Sequence, residues 1–142
     1  MLKTRLVHPE ILHALGGAGH GSRVLIADGN YPFNTESPPT AAKVFLNLRR
    51  GLVSVNDVFE VLLETIPIEA AVVMERADGQ PVPAQESFRL LLPATVFLQT
   101  LKRAEFYAEV RLPATALVIA TGDERRFANL LLTIGVVNGG TH

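Results

Sequence analysis

The chain has 142 residues, which fits one domain with enough length to bury a core. Apolar residues make up 48% and charged residues 19%, and the formal net charge is −1, so the composition is globular and lacks the basic excess that nucleic acid demands. The absence of cysteine excludes disulfides, thiolate metal sites and cysteine nucleophiles.

Ten of the 13 basic residues are Arg, which suits local recognition of polar groups. No run of about 18 apolar residues exists, so no membrane span is expected. The first residues, MLKTRLVHPEIL, lack the long apolar core of a signal peptide, and a cytoplasmic protein is expected. Mean hydropathy is +0.26, high for a small monomer, and points to apolar surface buried between subunits.

Helix and strand signals alternate along the chain. His8-Pro9-Glu10 opens a short helix, with Pro9 suited to its first position and His8 placed to cap it. Gly16, Gly17 and Gly19 end it. Arg23 to Ala27 is a short buried strand with Asp28 at its C-terminal end. Residues 29–40, rich in Gly, Pro, Asn and Ser, form a long ordered loop. Lys43 to Leu48 reads as a strand.

Ser54 with Asp57 three residues on marks a helix start, and Val58, Val61, Leu62 and Ile66 carry helical spacing up to Pro67. Ile68 to Met74 is a strand, Asp78-Gly79 a turn, and Pro83 to Leu92 a helix stopped by Pro93. Thr95 to Leu101 and Ala116 to Thr121 read as strands, with a short helix from Glu105 to Val110 between them. Residues 122–126 form a polar turn, taken as solvated. Asn129 to Val137 is a last strand, and residues 138–142 a frayed tail. This alternation predicts helices layered on a sheet, in a single domain over residues 1–142.

Chemistry concentrates in few places. His20 lies between Gly19 and Gly21, where the backbone is free to approach a ligand; a plain surface histidine is the competing reading. Asp28 follows the strand, where a turn-capping role competes with a functional one. A five-residue strand spans roughly 17 Å, so His20 and Asp28 cannot meet within one chain unless a loop folds back. No histidine pair has metal-site spacing. Gly16-Gly17-Ala18-Gly19 precedes a strand and lacks a following GK[ST], so it is no phosphate loop. Arg103 and Tyr107 are one helical turn apart and can share a face.

Taken together, these stations resemble the D-ribose pyranase and L-fucose mutarotase family. The matching pieces are His8-Pro9-Glu10 with Leu12, Gly19-His20-Gly21, Ile26-Ala27-Asp28 with Asn30-Tyr31-Pro32, and Arg103 with Glu105-Phe106-Tyr107. Towards the C-terminus they are Ala120-Thr121-Gly122, Phe127-Ala128-Asn129-Leu130 and Gly135-Val136. The resemblance implies a three-layer α/β/α sandwich assembled into a ring-like homo-oligomer, typically a decamer, with active sites between neighbouring subunits. It implies an isomerase that needs no metal and no cofactor and interconverts anomers or pyranose and furanose forms of a monosaccharide. His20 then matches the family's acid/base histidine and Asp28 its aspartate.

Arg103 and Asn129 match sugar ligands, and Arg103 tilts the likeness toward the fucose branch. One departure stands out: members commonly carry Tyr where this chain has Phe127, so a hydroxyl that faces the sugar is missing. Tyr31 is the candidate to supply one instead. A non-catalytic sugar-binding or regulatory protein on the same fold is the alternative that Phe127 raises.

Overall fold

The computed structural model describes residues 1–139, so the end of the expected frayed tail lies outside the described residues, while Asn138 and Gly139 are irregular and exposed. The elements run α1 (Pro9–Gly17), β1 (Arg23–Ala27), β2 (Ala42–Phe45), α2 (Val55–Leu63), β3 (Ile68–Met74), α3 (Pro83–Leu91), β4 (Leu98–Leu101), α4 (Arg103–Val110), β5 (Thr115–Ala120) and β6 (Leu130–Ile134). The six strands form one sheet in the order β2-β5-β1-β6-β3-β4. All neighbours are parallel except β6, which runs antiparallel to both β1 and β3.

Strand side chains alternate between two cores. Val24, Ile26, Leu117, Ile119, Leu130 and Leu132 face a layer in which Ile11 and Leu15 of α1, Phe59 and Leu62 of α2 and Phe88 of α3 are buried. Leu25, Ala27, Val72, Met74 and Leu131 face the other side, covered by Phe106 and Val110 of α4 and by Tyr31 and Ala41 of the long loop. The result is the expected α/β/α sandwich, with three helices on one face and one helix plus a loop on the other. The helices are only eight or nine residues long, too short to persist alone, so packing on the sheet holds them.

Helix starts follow local rules. The His8 ring Nδ1 accepts the Ile11 amide at 3.4 Å, and Pro9 needs no partner at the first position. Ser54 and Asp57 form a reciprocal capping box: Ser54 Oγ accepts the Asp57 amide at 3.0 Å and Asp57 Oδ2 accepts the Ser54 amide at 2.9 Å. In α1, Gly16 and Gly17 complete the last turn instead of lying beyond it.

Several boundaries differ from the sequence reading, chiefly where a strand depends on its neighbour's length. β2 stops at Phe45 because its partner β5 ends at Ala120, whose carbonyl accepts the Leu46 amide. β4 begins at Leu98, because residues 93–96 close a turn through Val96 N–H to Pro93 O. β6 ends at Ile134, beyond which the Gly135 amide meets Pro67 O, ahead of the start of β3. α2 ends at Leu63, and the Thr65 and Ile66 amides close back on Leu62 O. α4 starts at Arg103, two residues before the predicted start, and this places that guanidinium at the helix mouth.

Candidate functional site

Because β6 runs against the others, the residue that leads into it, Asn129, sits among the C-terminal ends of β1 and β3. A crevice outside the carboxyl ends of parallel strands is the usual ligand position in such sheets. Here a cavity of about 230 Å³ is lined by Asp28 and Tyr31 after β1, Met74 ending β3, Arg103 and Tyr107 of α4, and Phe127 and Asn129 before β6. Asn30 and Arg126 complete its wall. Five of the six residues singled out from the sequence therefore meet in one place.

Asp28 is 2% exposed. Its Oδ1 accepts the Asn30 amide at 2.9 Å and its Oδ2 the Ala128 amide at 3.3 Å. It thus ties the loop after β1 to the loop before β6. Burial pushes its carboxyl above the ordinary value, and nearby Asp123 adds to this, against the pull of those backbone bonds. Asn129 is 5% exposed, and its Oδ1 accepts the Asp28 amide at 2.7 Å. Its Nδ2 makes no hydrogen bond among the described residues, and the residue lines the cavity.

The Tyr31 hydroxyl donates to Glu36 O at 2.7 Å, and burial holds that phenol well above its ordinary range. Its ring packs edge-on against Tyr107, centroids 5.5 Å apart. Among the described residues the Tyr107 hydroxyl has no hydrogen-bond partner, so Tyr107 presents the open phenol of this pocket. Phe127 has a φ of 57°, left-handed backbone that side chains rarely adopt. Buried Gln85 clamps that turn, donating to Met74 O at 2.7 Å and Phe127 O at 3.1 Å.

His20 lies at the opposite end of β1 from Asp28, beside Gly21, whose amide bonds Ile134 O. Its Nε2 meets both Glu69 oxygens, at 3.0 and 3.1 Å, and its side chain is 59% exposed. No loop folds back to bring it to the cavity of its own chain.

Several contributors besides Asn30 and Met74 were not picked out as site residues from the sequence. Arg126 belongs to the turn read as solvated, Gln85 and Glu69 gave no local signal, and Tyr107 was noted only for sharing a face with Arg103. The same turn also holds Asp123, 4% exposed, which accepts the Val55 amide at the start of α2 at 2.9 Å and a fork from Arg125 at 3.0 and 2.7 Å. Burial alone would raise its carboxyl; the bonds from Arg125, Val55 and the Arg125 amide outweigh it and hold it below the usual range. Among the described residues no group of three or more His, Asp or Glu side chains is placed to hold a metal ion.

The two acids oppose each other in acid. A depressed carboxyl adds stability that is present above its unfolded value of about 3.8 and is lost as pH falls through the lower folded value. Raised Asp28 has the reverse sign, since its ionisation costs stability as pH climbs through its folded value. Asp123→Asn is expected to lower unfolding free energy by about 1–3 kcal/mol at neutral pH. The gap to the parent protein should close below pH 3.8; a gap that stays constant in denaturant titrations across that range would show the charge to be irrelevant.

The chain as a whole is similar to known proteins. Residues 1–137 match the RbsD / FucU transport protein family. A D-ribose pyranase of Variovorax paradoxus is 33% identical over 141 residues, covering 96% of this chain and 98% of that protein. The human fucose mutarotase is 28% identical, over 93% of this chain and 90% of its own. Among solved structures, Bacillus subtilis RbsD complexed with D-ribose superposes with a TM-score of 0.79 at 26% identity, covering 97% of this chain and all of that one.

Proposed function

Since this chain belongs to the RbsD / FucU family, we propose that it is an isomerase that interconverts anomers, or pyranose and furanose forms, of a reducing monosaccharide. The observation that carries the reading is the cavity itself: a buried carboxyl, an unpartnered amide, a guanidinium and a phenol converge at the strand ends of a chain matched to a ribose pyranase over 96% of its length. The relatives' names favour an enzyme over a non-catalytic binder.

The chemistry needs few groups. A base takes the anomeric hydroxyl proton while an acid protonates the ring oxygen; the hemiacetal opens, the carbonyl rotates or another hydroxyl attacks, and the ring recloses. Imidazole serves both steps near neutral pH. Asp28, held by two amides, orients the sugar, and Arg103 and Asn129 Nδ2 bind its hydroxyls. Tyr31 backs the pocket wall and Phe127 supplies an apolar one.

His20 reaches a sugar only from a second copy. Each single-domain protomer of a ring-like homo-oligomer, a decamer by resemblance and of cytoplasmic location, then lends His20 to its neighbour's cavity. Exposed Phe45, Leu48, Leu90 and Phe97 supply apolar surface for such contacts. Pairing of His20 Nε2 with Glu69 leaves Nδ1 free to act.

The test is anomer exchange by NMR line shape and saturation transfer across a panel of aldoses, for the parent and for Phe127→Tyr. The parent is expected to accelerate exchange, and the restored hydroxyl to raise the rate on fucose or ribose by a factor of about two to ten. Sugar binding in calorimetry without acceleration by either protein would replace the enzyme reading with that of a binding protein.

A further inference from the structure

The arginines of this chain divide unevenly. Seven pair with a carboxylate, and Arg49 donates to the Arg50 carbonyl. Among the described residues the two with neither ion pair nor hydrogen bond are Arg103 and Arg126, and both line the cavity beside Asp28. Both side chains are solvent-exposed on the cavity wall, and two like charges on one wall gain from a shared counter-charge.

The other free groups point the same way. The sole acid of the wall, Asp28, already accepts two amides. Asn129, 5% exposed, lines the cavity with its Nδ2 donor unpartnered. Helix α4 opens at Arg103, its N-cap Lys102 makes no side-chain capping bond, and the acid of its first turn, Glu105, does not line the cavity. Within a protomer the cavity is thus rich in donors and poor in anions.

We propose that the sugar taken here carries an anionic group, a carboxylate or a phosphate, gripped by Arg126 with Arg103 beside it. The preferred substrate is then a uronate or sugar phosphate with a free anomeric hydroxyl. This rests on the sugar-interconversion reading and narrows its substrate class. Arg126 acts as the selector: it adds attraction for the anion and does not enter the proton transfers.

The experiment compares exchange rates by NMR for matched pairs, D-galacturonate with D-galactose and D-ribose 5-phosphate with D-ribose, with L-fucose alongside. At low salt the anionic member of at least one pair should show kcat/KM about five- to tenfold above its neutral partner, as a solvent-reached charge contact allows. Whichever pair shows the larger gain assigns the group as carboxylate or phosphate. Added salt should shrink the ratio, and Arg126→Gln should bring it to about one. Acceleration of the neutral sugars equal to or above that of their anionic partners overturns the inference and leaves the isomerase reading standing. Tighter calorimetric binding of the anionic sugars without any acceleration upholds the anion preference and removes the enzyme. No binding and no acceleration of any sugar overturns both.

Discussion

Replacing His20 with alanine is expected to slow sugar ring-form exchange by roughly 10²–10⁴-fold, the usual contribution of a positioned acid–base group. The fold should survive, because the side chain is 59% exposed and its partner is a surface carboxylate, a pairing that contributes about 0–1 kcal/mol. The placement of His20 gives the prediction a sharper form. Its own cavity lies at the other end of β1, so an Asp28→Asn protomer with intact His20 should complement a His20→Ala protomer with an intact pocket. Dissociating and reassembling the two inactive variants together would then restore about a quarter of the sites by random pairing around a closed ring. Exchange rates of the separate and mixed proteins decide the matter. Full activity of His20→Ala removes the histidine from the mechanism, and a mixture no more active than its parts removes the shared site.

Gly122→Ala should be far more damaging to the fold than any substitution among the sugar-facing side chains. Gly122 follows the end of β5, where its carbonyl accepts the Gly51 amide at 2.6 Å. A Cβ there would press into the carbonyl oxygens of Arg49 and Leu52, far inside contact distance, and backbone atoms of a neighbouring turn cannot rotate aside as a side chain would. Relief requires the two loops to part. Parting them disturbs Asp123, which holds the start of α2, and Gly29, whose amide bonds Asp123 O at 2.8 Å. The expected loss is about 3 kcal/mol or more of unfolding free energy, at the upper end for overpacking. Denaturant unfolding measures it, and sugar exchange by the surviving folded fraction should fall as well, because Gly29 and Asn30 lead directly from Asp28. A midpoint within error of the parent would mean that the two loops are not in contact in solution.

The sequence by itself determined the alternation of helices and strands, the His8 and Ser54 helix starts and the apolar strands read from Arg23, Ile68 and Ala116. Each of these is written in neighbouring residues: a proline or serine ahead of helical spacing, or a β-branched run between turns. It also marked Asp28, Tyr31, Arg103, Phe127 and Asn129, through short motifs whose order resembles a family. Only the tertiary structure decided where β2 and β6 end and where β4 begins, because a strand persists as far as its partner offers hydrogen bonds, and that length is set by residues far along the chain. The same holds for the cavity's other members. Nothing local distinguishes Arg126 from Arg125: in the fold one faces Asp28's cavity without a partner while the other forks onto Asp123. Gln85 is read as an ordinary helix residue until β3 and the turn at Phe127 bring two carbonyls to it, and Glu69 as an ordinary strand residue until His20 arrives beside it. Spacing along a chain reports which side of a helix or strand a residue takes; whether that side meets a cation, a carbonyl or open water depends on residues as far as 42 or 101 positions away, and only their packing supplies it.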